Sequence, residues 1–179
     1  MVVRQDRRHS RLSLRHAWTA ATALLLANPA MAATWCLGLG SLGPVRTGMT
    51  VDQVLRLADW PGMERRQPAG ECWYMHYRAA GSDFDLMIIQ GVVVRIELNR
   101  GSRLHTLGGA QLGSSEAALG RLYGARLEVQ PHKYDPAGHT LTFRSSDGGF
   151  GLRFETSRGK VTAIQSGPWQ HLNYVEGCS

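Results

Sequence analysis

Much of the usual machinery of catalysis is missing from this 179-residue sequence. No Gly-x-Ser-x-Gly occurs, which excludes a nucleophile elbow of the α/β-hydrolase kind. The Gly-rich stretches LGLGSLG and SSDGGFG are not followed by Lys-Ser or Lys-Thr, so neither cradles a phosphate; they read as a tail and a turn. The three cysteines, Cys36, Cys72 and Cys178, match no zinc spacing. No apolar run reaches the ~20 residues that span a bilayer as a helix. Beyond the N-terminal segment no basic run interleaved with aromatics occurs, so nucleic acid is not an expected partner.

What is present begins with a targeting segment. Arg4, Arg7, Arg8, Arg11 and Arg15 stand against Asp6 alone, and they lead into the apolar run TAATALLLANPAMA. Ala30-Met31-Ala32 places small residues where a signal peptidase reads. Residues 1–32 are therefore read as a secretory signal peptide cleaved before Ala33, which places the chain in the periplasm or outside the cell. The pair Arg7-Arg8 lacks the apolar residue expected soon after a twin-arginine signal, so ordinary export is favoured. Cys36 follows Trp35 rather than a small residue, so no lipid anchor is expected. Of 20 basic and 14 acidic residues, the signal holds five and one; 15 against 13 remain, a net charge of +2. The pI near 9.7 is mostly a property of the targeting segment. The remaining chain is long enough for one compact domain or two very small ones.

Three cysteines in an oxidising compartment predict one disulfide and one thiol left over. Cys72 with Cys178 is the expected pair, tying the last residues to the first half. Cys36, in a segment expected to be flexible, is the alternative partner of Cys178.

Two stretches resemble each other: RTGMTVDQVLRL from Arg46 and QLGSSEAALGRLYG from Gln111. With Gly48 set on Gly113, Thr50 meets Ser115, Val54 meets Leu119 and Leu57 meets Leu122. Each hydroxyl residue is a plausible N-cap, with an acid in the first turn, Asp52 or Glu116. Val51, Val54, Leu55 and Leu57-Ala58 form one apolar stripe; Ala117, Ala118, Leu119, Leu122 and Tyr123 form the other. Pro61 stops the first helix and Gly124 closes the second. Strands follow both. They are ECWYMHYRA, SDFDLMII and VVVRIELN in the first half, and RLEVQ, HTLTFRS, FGLRFET and KVTAIQS in the second. Gln90-Gly91 and Ser157-Arg158-Gly159 carry the glycine of a hairpin turn. The expectation is an α+β fold of two tandem helix-plus-antiparallel-meander repeats, with the helices on one face of the sheet. Its parts are an N-terminal segment (33–45), repeat one (46–100), a connection (101–110) and repeat two (111–179).

Gly-Met-Thr opening a short helix before antiparallel strands resembles the tandem-repeat beta-lactamase inhibitory protein, and also the small lipoprotein of the outer-membrane barrel assembly machinery. The phrases VQPHKYDPAGHTLTF and NYVEGC resemble a group of uncharacterised exported proteobacterial proteins. The resemblance implies a helix–meander fold and a binding role.

Chemistry-bearing residues are few. His132, Asp135 and His139, in PHKYDPAGH, are suitable metal donors, yet the two prolines and glycine read better as a strand connection. Glu97, Glu128 and Glu155 fall on predicted strands as members of a solvated face. Alternation places Trp73, Met75, Tyr77, Phe84, Leu86, Ile88, Val94, Ile96, Leu98, Phe143 and Phe154 on an apolar side. Tyr74, His76, Arg78, Arg95, Arg144 and Arg153 fall on the opposite, open side, an Arg-, Tyr- and His-rich mixture typical of binding surfaces. The leading expectation is a non-enzymatic exported module, needing no cofactor. It would engage an envelope or secreted protein through that face, as an inhibitor, immunity factor or assembly accessory. A carbohydrate or cell-wall binder, stacking through Tyr74, Trp169 and Tyr174, is the alternative. A small metal-dependent hydrolase using the His132–His139 cluster comes third.

Overall fold

Alternating apolar residues and short Gly-bearing turns give a mostly antiparallel α+β structure. The computed structural model describes residues 35–57, 63–66, 70–79, 81–175 and 177–178. The signal-peptide reading on residues 1–32 and the helix stop at Pro61 lie outside the described residues. In chain order the elements are β1 (Cys36–Gly38), β2 (Ser41–Leu42), β3 (Val45–Arg46), α1 (Val51–Arg56), β4 (Met63–Arg66), β5 (Cys72–Tyr77), β6 (Phe84–Ile89) and β7 (Val92–Leu98). They continue as β8 (His105–Thr106), α2 (Glu116–Tyr123), β9 (Leu127–Pro131), β10 (His139–Arg144), β11 (Phe150–Ser157), β12 (Lys160–Pro168) and α3 (Trp169–Leu172).

The main sheet has eight strands in the order β4-β5-β6-β7-β12-β11-β10-β9. Each half is a run of consecutive antiparallel strands, and the halves meet where β7 pairs with β12. The two inner hairpins turn on Gln90-Gly91 and Arg158-Gly159, with φ of 50° and 76° in the first and 49° and 73° in the second. Positive φ at both central residues suits the right-handed twist of the flanking strands.

Both longer helices start as their sequences predict. Thr50 accepts from the Gln53 amide and completes a capping box; Ser115 accepts from the Ala118 amide. Each helix start is also bonded to a hairpin. Around α1, Gly48 N–H donates to Val93 O (2.8 Å), Val93 N–H to Met49 O (2.8 Å) and Val51 N–H to Gly91 O (3.0 Å). Around α2, Gly113 N–H donates to Val161 O (2.8 Å), Val161 N–H to Ser114 O (2.9 Å) and Glu116 N–H to Gly159 O (3.2 Å). Val54 and Leu119 enter one core with Phe84, Leu86, Ile96, Leu98, Phe154 and Ile164.

Four features depart from the sequence expectations. The LGLGSLG stretch is not a tail: Leu37 and Leu42 are fully buried, and β1–β3 join β8 in a second, four-stranded sheet. Ser166 on β12 ties that hairpin down, donating its hydroxyl to Gly38 O and accepting from Gly40 N–H. The connection at 101–110 contributes β8, parallel to β1. A bulge pairs Met87 with Arg95 but Ile88 with Val93, skipping Val94. Val93 therefore takes the core position expected for Val94, because an extra residue reverses the inside–outside parity. Finally β4 and α3 were not expected: MERR carries no apolar alternation, and four residues are too few for a helical period.

Candidate functional site

Cross-strand pairing carries a polar row across the sheet opposite the core. His76 faces Asp85, Asp85 faces Glu97, Glu97 faces Gln165, Gln165 faces Arg153, Arg153 faces Thr142 and Thr142 faces Glu128. Alternation predicts such a face, but not what lies over it. After Pro168 the chain turns back as α3 and crosses the sheet to Cys178, which is disulfide-bonded to Cys72. Gly151 lies beneath this crossing. A Cβ on Gly151 would stand 2.8 Å from the Trp169 ring and 3.0 Å from Leu172. Gly177 passes so close to Tyr74 that a Cβ there would meet its hydroxyl at 2.7 Å.

The middle of the expected open face is therefore closed. Arg95 is 1% exposed and Arg153 5%, so neither is the surface arginine that alternation suggested. Arg95 acts as a clamp. Its Nη1 donates to His171 O (3.2 Å) and Tyr174 O (2.7 Å), its Nη2 to Tyr74 Oη (3.1 Å), and its Nε to Glu97 Oε1 (2.8 Å). Tyr74 donates to Glu97 Oε1 at 3.0 Å. Burial, with the Glu97 carboxylate beside it, pushes the Tyr74 phenol up to about 12, so it stays protonated and keeps donating. Arg153 gives one bond to Leu172 O (3.0 Å) and sits 3.4 Å from Glu155, while its buried Nε finds no partner. Tyr74 and His76 are half-buried; Arg78 and Arg144 are exposed. His76 and Arg78 converge on Asp85 at 2.8 Å and 2.6 Å, and Asn99 donates to its other oxygen. Burial alone would raise that carboxyl, but the hydrogen bonds from Arg78, Asn99 and His76 prevail and hold it below its ordinary value.

His171, on the crossing segment, is held below its ordinary value by burial and then by the Arg95 guanidinium, and its Nδ1 is buried without a partner. The unfolded chain takes up this proton near pH ~6.5, the folded chain only at lower pH. The stability that the neutral ring contributes is thus present above that value and is lost as pH falls toward the folded one. Thermal melts from about pH 7.5 down to about pH 5.5 should fall more steeply for the native chain than for His171→Asn. Parallel slopes would show that His171 does not set this dependence.

Besides the exposed Arg78 at the first-half end, part of the face stays open in the second half. A cleft of about 190 Å³ runs between the outer strands and the crossing segment, lined by Glu128, Gln130, Lys133, Thr140, Thr142, Arg153, Trp169 and Asn173. Arg144 lies over the Trp169 ring at 4.7 Å and steadies that wall. Of the expected stacking groups, only Trp169 lines the cleft; Tyr74 is engaged by Arg95, and Tyr174 lies exposed beside His171. Gln130, Thr140 and Thr142 were not singled out from the sequence. The available signal was the glycine within a predicted strand at 151, which marks close approach by another segment.

The His132 cluster is not convergent. His132 Nδ1 accepts from the Tyr134 and Asp135 amides (3.1 and 3.0 Å), so it caps its own turn, and its Nε2 faces Glu155 at 3.7 Å. Asp135 accepts from the Ala137 amide, while His139 lies 2.9 Å from Glu116. No three His, Cys, Asp or Glu side chains are grouped to hold a metal among the described residues. Cys36 stands outside the disulfide, its Sγ 3.8 Å from His105 Nε2. No helix among the described residues is long and apolar enough to cross a membrane. No protein-family model matches the chain, and no curated protein matches it.

Proposed function

We propose that this chain is an exported, non-enzymatic binding protein that engages an envelope or secreted protein through the second half of its polar sheet face. The observation that carries this reading is the cleft beside β9, where a polar surface stays open next to the terminal strand of the sheet. Side chains along β9 from Glu128 to Pro131 are exposed, Val129 by 55%. An edge strand offers backbone groups to an incoming chain, which favours a protein partner over a glycan. The Cys72–Cys178 disulfide is in keeping with export, since such bonds persist in oxidising compartments. Matching hydrogen bonds at Gly48 and Gly113 support a unit built twice, with both helices on the core side. This is the arrangement that the Gly-Met-Thr resemblance to the tandem-repeat inhibitory protein implies.

Capture from an envelope fraction tests this reading. The native chain and Arg78→Ala, altered at the far end of the sheet, should retain the same partner. Thr142→Arg, which fills the cleft, should weaken binding by more than about 1 kcal/mol, as truncation of only a minority of interface residues does. Equal retention by all three, or loss only with Arg78→Ala, contradicts the assignment. A glycan ligand is the second reading, favoured by the Trp169 wall beside Gln130, Thr140 and Thr142. Retention of the native chain on peptidoglycan, abolished in Thr142→Arg, would select it.

A further inference from the structure

We propose that the cleft captures the free carboxylate at the end of a partner's peptide chain. This rests on the protein-binding reading above and names what the partner presents. The first argument is size. At about 190 Å³ the cleft is smaller than the ~300–1,000 Å³ of pockets that enclose a whole small ligand, so a ligand enters by one end.

The second argument is charge. Lys133 and Arg153 bring two cationic side chains to the lining, against the single carboxylate of Glu128. Arg153 is incompletely satisfied. It has one carbonyl at 3.0 Å, a carboxylate at 3.4 Å that also faces His132, and a buried Nε with no partner. An arginine fork buried with a spare donor favours a planar carboxylate, because charge-assisted bonds to guanidinium are stronger than neutral ones. The Thr142 hydroxyl lies between Arg153 and Glu128 in the polar row and offers a neutral donor to the same group.

Glu128 decides against a more highly charged anion. A phosphate dianion would meet its carboxylate across Thr142, whereas a peptide terminus places a neutral amide N–H behind its single charge, and Glu128 can accept it. The adjoining edge of β9 gives the extended residues before the terminus a strand to follow.

The test is a titration of the exported chain followed by amide and indole NMR signals. The probes are a randomised mixture of N-acetyl tripeptides as free acids, the same mixture as C-terminal amides, inorganic phosphate, and a chitooligosaccharide. The free acids should shift Thr140, Thr142 and the Trp169 indole saturably, at least about ten-fold more tightly than the amides. Lys133→Ala, on an exposed side chain, should weaken the acids several-fold and narrow their advantage over the amides. Acids and amides that bind alike, or no saturable shift at the cleft up to about 10 mM, would overturn the proposal. So would phosphate or the oligosaccharide occupying the cleft in preference to the acids. A protein partner that is captured and lost with Thr142→Arg, while acids and amides stay indistinguishable, overturns the carboxylate and leaves the binding face standing. Equal capture by the native chain and Thr142→Arg removes the face itself.

Discussion

Replacing Arg95 by alanine is expected to lower the stability of the folded chain by about 3–5 kcal/mol, as removal of one partner from a buried ion pair does. The guanidinium is 1% exposed and serves four groups at once: Glu97, the Tyr74 hydroxyl and the carbonyls of His171 and Tyr174. Without it, Glu97 stays near the middle of the sheet with its countercharge gone, and two backbone carbonyls lose their donor. Lysine does not restore the arrangement, since a single ammonium cannot reproduce the planar fork. A double replacement, Arg95→Met with Glu97→Leu, should recover much of the loss by removing both charges together. Urea unfolding of the native chain and the three variants checks this. A loss below about 1 kcal/mol for Arg95→Ala would show that solvent reaches the network and that the clamp is weak.

Removing the disulfide is the second large effect. Cys72 and Cys178 are 106 residues apart, so the bond closes a long loop in the unfolded chain. Replacing both cysteines by serine is expected to cost about 2–5 kcal/mol. The loss should be concentrated in the crossing segment. Hydrogen exchange in Trp169–Tyr174 should speed up far more than in β6 or β7, because the segment keeps only α3 and the arginine bonds to hold it. Combined with Arg95→Ala, the two losses should not add, since both act on the same strip of chain. Uniform exchange across the sheet in the serine variant would mean that the bond supports the whole fold rather than this segment. If the segment does open, Thr142 loses the Trp169 wall of its cleft, and peptide binding should weaken with it.

Local signals in the sequence were enough for much of this architecture. Thr50 and Ser115 cap helices because a hydroxyl before an apolar stripe has an amide to accept from within three residues. Gln90-Gly91 and Arg158-Gly159 turn hairpins because glycine takes positive φ without strain. The alternation in CWYMHY, FDLMII and GLRFET separates a core side from a polar side through the two-residue period of a strand. The Cys72–Cys178 pairing was also the one expected, on the reasoning that an exported chain ties down its end.

Tertiary structure decided the rest. Periodicity states which side of a strand Arg95 and Arg153 take, but that side becomes surface or interior according to what else the chain lays on it. Here a segment 76 to 79 residues beyond Arg95, His171 to Tyr174, supplies the carbonyls that let a guanidinium be buried. No local pattern contains that distance. The same holds for Leu37 and Leu42, which read as a Gly-rich tail until Ser166 and β8 give their hairpin partners. Val93 exchanged places with Val94 because one bulged residue reverses parity, and a bulge is fixed by the pairing strand rather than by its own side chains. The cleft exists for the same physical reason: α3 and the disulfide cover only part of a sheet face that alternation alone would have left open from edge to edge.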